Sequence, residues 1–231
     1  GARAPLQAVW DLEQHDLRPN AGYYLAWVSL GEKKTADAAR QFGGISEQFP
    51  EHQLAADARM QQAIVLGTAQ EYAQAQQALE LFLKAHPKHE MAGQAYYQLG
   101  SALMEQKQWP AAIEQFSNVP AKNDWRDDAL YRTAWCERRA GNKPKAIPLY
   151  RELLEQFGKS NMAGHALLEL VELVMDLVVF LLHMERLDPI LIIDILLVAA
   201  VVLIALVVEQ VVLVDLVVVE MVVLIRQLLL L

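Results

Sequence analysis

The chain of 231 residues contains one cysteine, Cys136, so no internal disulfide framework can hold it together and the redox compartment is left open. It has no excess of Lys and Arg: 20 basic against 28 acidic side chains leave a formal net charge of −8 and a pI near 5.3. A phosphate-binding face needs the opposite balance, so nucleic acid is not an expected partner. The opening residues, GARAPLQAVW, lack the basic-then-apolar order of a secretion signal. Catalytic motifs are missing as well. There is no HExxH, CxxC or GxSxG, and FGGIS lacks the Lys that would follow in a phosphate loop. The nearest approach to a metal-ligand spacing is His86, His89 and Glu90 in HPKHE, which surrounds Pro87 in a turn and reads as solvated loop. Cys136 has Arg138 and Arg139 nearby but falls inside a packed helix, where a buried, inert thiol is expected. These absences predict no catalytic residue, no metal and no cofactor, and argue against an enzyme. The last absence is regional. From Ala166 to Leu231 there is no Ser, Thr, Gly, Lys, Asn, Tyr, Trp or Cys, so the overall hydrophobic fraction of 54% averages two unlike segments.

What is present is a repeat. The segments ADAARQF, YAQAQQAL, WPAAIEQF and KPKAIPLY each place a small residue four positions before a bulky one: Ala38 and Phe42, Ala75 and Leu79, Ala112 and Phe116, Ala146 and Tyr150. The steps from 42 to 79, 79 to 116 and 116 to 150 are 37, 37 and 34 residues, a period that marks a solenoid. A second small residue lies 12 positions before each alanine, at Ala26, Ala63, Gly100 and Ala134. Two helices joined by a short turn carry these two sets on facing surfaces, and small side chains there allow a close approach. Turn signals fall where such a hairpin needs them, in LGEKK, GTAQE, EQKQWP and AGNKP, and Pro50 and Pro87 close the first two copies.

This arrangement resembles the tetratricopeptide repeat (TPR) family, with small residues at positions 8 and 20, a bulky residue at 24 and Pro at 32. Tyr96, Leu99 and Gly100 add the family's aromatic and Leu-Gly signature. Position 32 departs from the pattern in the third and fourth copies, which hold Asp124 and Gly158. The resemblance implies an all-α, right-handed α-solenoid of antiparallel helix pairs with about five to six repeats. Residues 1–20 form a lead-in helix, with the second helix of an earlier, truncated repeat as the alternative reading. Residues 21–161 form four repeats, and 162–231 a fifth and sixth.

In the TPR family the first helix of each pair, helix A, lines a concave groove. Carried over by position, the expected partner-binding residues are Tyr23 and Trp27 in the first copy and Met60 in the second. The third copy contributes Gln94, Tyr97, Met104 and Glu105, and the fourth Tyr131, Trp135, Arg138 and Arg139. Aromatic and Arg side chains are the usual energetic anchors of interfaces. The competing expectation is that half of these residues pack between repeats. The function implied is a non-catalytic scaffold or adaptor that binds a protein or peptide within a larger assembly. The wording of the repeats also resembles bacterial envelope TPR proteins, among them periplasmic proteins associated with Tol-Pal and outer-membrane assembly lipoproteins. That implies the bacterial periplasm or envelope, with the cytoplasm as the alternative.

The tail keeps the period but not its detail. Steps of 37 from Tyr150 reach Leu187 and Leu224, while the small positions become Val171 and His183, then Val208 and Glu220. Three readings stand. In the first, PILIIDILLVAAVVLIALVV, with Asp194 as its one charge, is a transmembrane segment and the protein a membrane-anchored adaptor. It has neither flanking Trp or Tyr nor a Lys cluster. In the second, two apolar repeats continue the stack. In the third, Val and Leu stand for other residues of like shape, Thr, Asn or Asp, in two ordinary repeats. A further alternative for the whole chain is an accessory subunit of an enzyme complex whose chemistry lies elsewhere.

Overall fold

A computed structural model describes residues 2–183, and all its regular elements are α-helices. The expected sixth repeat, Leu187, Leu224 and the apolar run over 189–208 lie outside the described residues. The chain divides after Ala140 into two compact units.

The first unit holds α1 (Arg3–Trp10), α2 (Arg18–Gly31), α3 (Thr35–Gln48), α4 (Ala55–Thr68), α5 (Tyr72–Ala85), α6 (Ala92–Glu105), α7 (Trp109–Ser117) and α8 (Arg126–Arg139). Each helix packs on its neighbours in sequence, and α4 also meets α6, so the A helices α2, α4, α6 and α8 alternate with the B helices α3, α5 and α7. Helix B begins 17 residues after helix A in every pair: 18 to 35, 55 to 72, 92 to 109. The small residues predicted at the helix contacts are all buried, as are Phe42, Leu79 and Phe116. The reason is closest to hand at Gly100, where an added Cβ would stand 2.7 Å from the Phe116 ring. Only glycine lets the ring come this close to that helix. Trp10 covers Gly22 in the same way, and a Cβ there would collide with Trp10 and Ile45. The Arg18 guanidinium lies 4.9 Å over Trp10 while its Nε donates to the Trp10 carbonyl at 3.1 Å, fastening α1 onto α2.

The turns from A to B repeat as faithfully as the core. Lys33, Gln70 and Lys107 all have φ near +60°, and Gly141 has φ +85°. The next amide reaches back five residues, Lys34 to Ser29, Glu71 to Leu66 and Gln108 to Leu103, each at 2.9 Å. This is a Schellman closure, which satisfies carbonyls left open at the helix end. Glycine is the natural choice for a left-handed residue, yet three of the four positions use Lys or Gln. The third copy is shorter because α7 stops at Ser117, where Asn118, buried Val119 and Pro120 follow. Pro120 has no amide to continue the helix.

The second unit holds α9 (Lys143–Phe157), with Tyr150 and Leu153 buried, and α10 (Asn161–His183), which packs on α9. Lys143 Nζ meets Asp176 at 2.8 Å. Here the structure differs from the expected fifth hairpin. Each A helix of the first unit spans 14 residues, whereas α10 runs 23 without a turn. The stretch after Ala166 has no Gly, Asn or Lys to break it. Among the described residues no helix is long and apolar enough to cross a membrane.

Candidate partner-binding face

At one end of the first unit, α2 presents an aromatic cluster. Tyr23 is half-buried with its ring edge-on to Phe42 at 5.4 Å, and Trp27 stands edge-on to the same ring at 5.5 Å. Trp27 nevertheless keeps 41% of its surface exposed, and the adjacent Tyr24 keeps 54%. Phe42 is the bulky residue of helix B, so the core of the first pair holds this cluster in place. Edge-to-face contacts fix the ring angles, and the exposed surface of Trp27 and Tyr24 is what remains for another molecule.

In the middle, two expected contact residues face inward. Met60 is 1% exposed and Tyr97 5%, both inside the core cluster. Tyr97 stacks on Trp125 at 4.7 Å between ring centres, and its hydroxyl donates to Asp128. Asp128 in turn accepts from Arg132 Nε at 3.0 Å, and the Arg132 guanidinium lies 5.3 Å over the Tyr97 ring. Burial, followed by the bond to Asp128, pushes the Tyr97 phenol up to about 12. Burial works against the Arg132 charge, but the charge attraction and hydrogen bonding of Asp128 and Tyr97 together outweigh it, and the guanidinium is held more firmly protonated than usual. The network joins α6 to α8 and supports the face from beneath. Beside it, Gln94 and Met104 are half-buried and Glu105 is exposed.

At the far end, α8 carries Tyr131, Trp135 and Arg138, all half-buried, and the exposed Arg139. Trp135 stands edge-on to Trp109 of α7 at 5.6 Å, and the Arg139 guanidinium lies 4.6 Å above its ring. The attraction of the cation for the ring holds the two groups together. Cys136, on the same helix, is buried, and burial pushes its thiol up to about 12 despite the opposing charge of Arg132. A thiol so placed is unreactive at neutral pH. Among the described residues no group of three His, Cys, Asp or Glu stands close enough to hold a metal. His86 and His89 lie 5.9 Å apart, but His89 Nδ1 already accepts the Met91 amide.

Residues 15–177 match the family described as YfiO, outer membrane lipoprotein. The chain belongs to this family. No curated protein matches it. Among solved structures it resembles MamA 41-end from Desulfovibrio magneticus RS-1, at 18% identity and a TM-score of 0.54, over 69% of this chain and 88% of that one. It also resembles the apo form of RapI, at 14% identity and a TM-score of 0.61, over 79% of this chain and 57% of that one. A Podosopora anserina kinesin light chain with nearly identical TPR-like repeats matches at 15% identity and a TM-score of 0.55, over 69% of this chain and 86% of that one. At such identities the likeness is one of fold, and that fold is the all-α TPR solenoid. The YfiO match takes in every residue of α2 through α9, and with them all the expected contact residues.

Sequence reasoning missed Arg132, Trp125, Trp109 and Tyr24 as parts of this YfiO-family surface. A signal existed for the first: Asp128 and Arg132 are four residues apart on one helix, the spacing at which opposite charges meet. Trp125 gave none, because it lies in the loop before α8 and reaches Tyr97 only through the fold.

Proposed function

We propose that this YfiO-family chain is a non-catalytic adaptor of the bacterial envelope, which holds a protein partner on the helix-A face of α2, α4, α6 and α8 within a larger assembly. The observation that carries the reading is the pairing of aromatic surface with a rigid base: exposed Trp27 on the Phe42 core, with exposed Tyr24 against Tyr23, at one end, and half-buried Trp135 with exposed Arg139 at the other. Ordered aromatic and Arg groups lose little conformational freedom on binding and anchor interfaces strongly. Met60 and Tyr97 support the face from inside and are not contacts themselves. The family's description as an outer membrane lipoprotein supports an envelope location, on the periplasmic side.

The test compares the unaltered chain with Trp27→Ala and with the double variant Arg138→Glu, Arg139→Glu as immobilised baits against envelope extract. Both variants are expected to keep their helical circular dichroism, and the double variant to bind its partner about tenfold or more weakly. A partner retained equally by all three would remove the helix-A face as the binding surface.

A further inference from the structure

The turn leading into each A helix contains a side chain that accepts the backbone amide two residues ahead. His15 Nδ1 accepts from Leu17 at 3.0 Å, His52 Nδ1 from Leu54 at 3.2 Å and His89 Nδ1 from Met91 at 3.2 Å. Asn123 Oδ1 takes the Trp125 amide at 3.0 Å, and Ser160 Oγ takes the Met162 amide at 3.0 Å. Positions 15, 52, 89, 123 and 160 are spaced as the repeats are, so one structural role is filled by His three times, then by Asn and by Ser. Asn and Ser are ordinary acceptors at helix starts and turns. A histidine fills that role only while neutral, with its proton on Nε2, because the protonated ring donates from both nitrogens and accepts from neither.

We infer that the turns into α2, α4 and α6 are acid-sensitive caps, while those into α8 and α10 are not. Protonation removes the acceptor and puts a positive charge beside a helix N-terminus, where the helix dipole opposes it. The contact exists only with the neutral ring, so the stability it supplies is lost as the pH falls and the ring takes up a proton. The surroundings do not supply an alternative partner. Asp16 adjoins His15, Glu51 adjoins His52, and Lys88 and Glu90 adjoin His89, whose ring also faces Phe82 and His86. Among the described residues no charged side chain of another helix makes a hydrogen bond or ion pair with any of the three rings. His15 is exposed and the other two are half-buried, so protons reach all three. Mild acid therefore loosens the entries to the first three A helices and leaves the Asn123 and Ser160 entries closed.

The full chain itself supplies the internal control. Amide exchange corrected for intrinsic rates is expected to show protection at Leu17, Leu54 and Met91 falling about fivefold or more between pH 7.5 and 5.5, with Trp125 and Met162 unchanged. Equal behaviour at all five amides overturns the inference. In parallel, the variant carrying His15→Asn, His52→Asn and His89→Asn is expected to lose about 4 °C or more less in Tm than the unaltered chain over the same pH range. Identical losses in the two proteins overturn it as well.

Discussion

The A helices of the first unit and α10 of the second begin alike and end differently. Each of α2, α4, α6 and α8 stops after 14 residues, whereas α10 continues for 23. Helix propensity does not explain this, since Val, abundant late in α10, is a poorer helix former than the Ala, Gln and Leu of α4 and α6. The difference lies in the residue that must turn left. Lys33, Gln70, Lys107 and Gly141 occupy that position in the first four copies. Val178, which lies 37 residues after Gly141, is β-branched, and a β-branched residue in that conformation is a genuine outlier. A helix in this architecture ends where turn chemistry ends it.

The comparison is most severely broken by removing what the paired helices share and α10 does not. Phe116→Ala takes a fully buried ring off Gly100 and is expected to cost about 3–5 kcal/mol in urea denaturation. Amide exchange should show the loss in α6 and α7 with protection in α10 retained. Uniform loss along the chain would mean that the two units do not respond separately.

A smaller effect is expected from the α6–α8 network. The Tyr97 phenol and the Cys136 thiol are both raised to about 12, so the folded state holds protons that the unfolded chain gives up. Their contribution is complete below about pH 9, where the unfolded thiol begins to ionise, and disappears progressively up to about 12. Tyr97→Phe should flatten the part of this alkaline decline that lies above pH 10, and Cys136→Ala the part that begins near pH 9. A decline unchanged in both would show that other groups produce it.

The finest test exchanges the turns themselves. Lys107→Gly relieves a left-handed Lys and is expected to stabilise by about 0.5 kcal/mol, while Gly141→Ala should cost about 1 kcal/mol. Thermal unfolding of the two variants reads the pair of opposite signs; shifts of the same sign would separate helix length from the left-handed residue.

The core was legible because packing restricts residue identity. Ala26 against Ala38, or Gly100 against Phe116, leaves so little space that the period is written directly in small and bulky letters. The turns were half legible: AGNKP announces its glycine, but Lys33 and Gln70 carry no mark of the conformation they adopt. The binding face was legible by position and not by depth. Tyr23, Met60, Tyr97 and Tyr131 are equivalent residues of the four A helices, and the structure buries the middle two. Tyr97 is covered by Trp125, brought there by the loop that follows the shortened α7, and nothing in the letters ties the two together. HPKHE alone reads as solvated loop, although its His89 stands at the same 37-residue step from His52, and His52 from His15, as the core residues do. A period carried by polar residues is easily passed over, since hydrophobic burial is what usually enforces one.

Helix B follows helix A by 17 residues in all four copies, α9 after α8 included, while the step from helix B to the next helix A takes values of 20, 20, 17 and 18. The variation falls after each turn has closed: α7 has 9 residues against 14 in α3 and α5, and the loop behind it, 118–125, is longer than the loops 49–54 and 86–91. Each A-to-B turn is set within its own few residues, so a change of length in helix B or in the loop behind it moves the start of the next pair without reaching the turn.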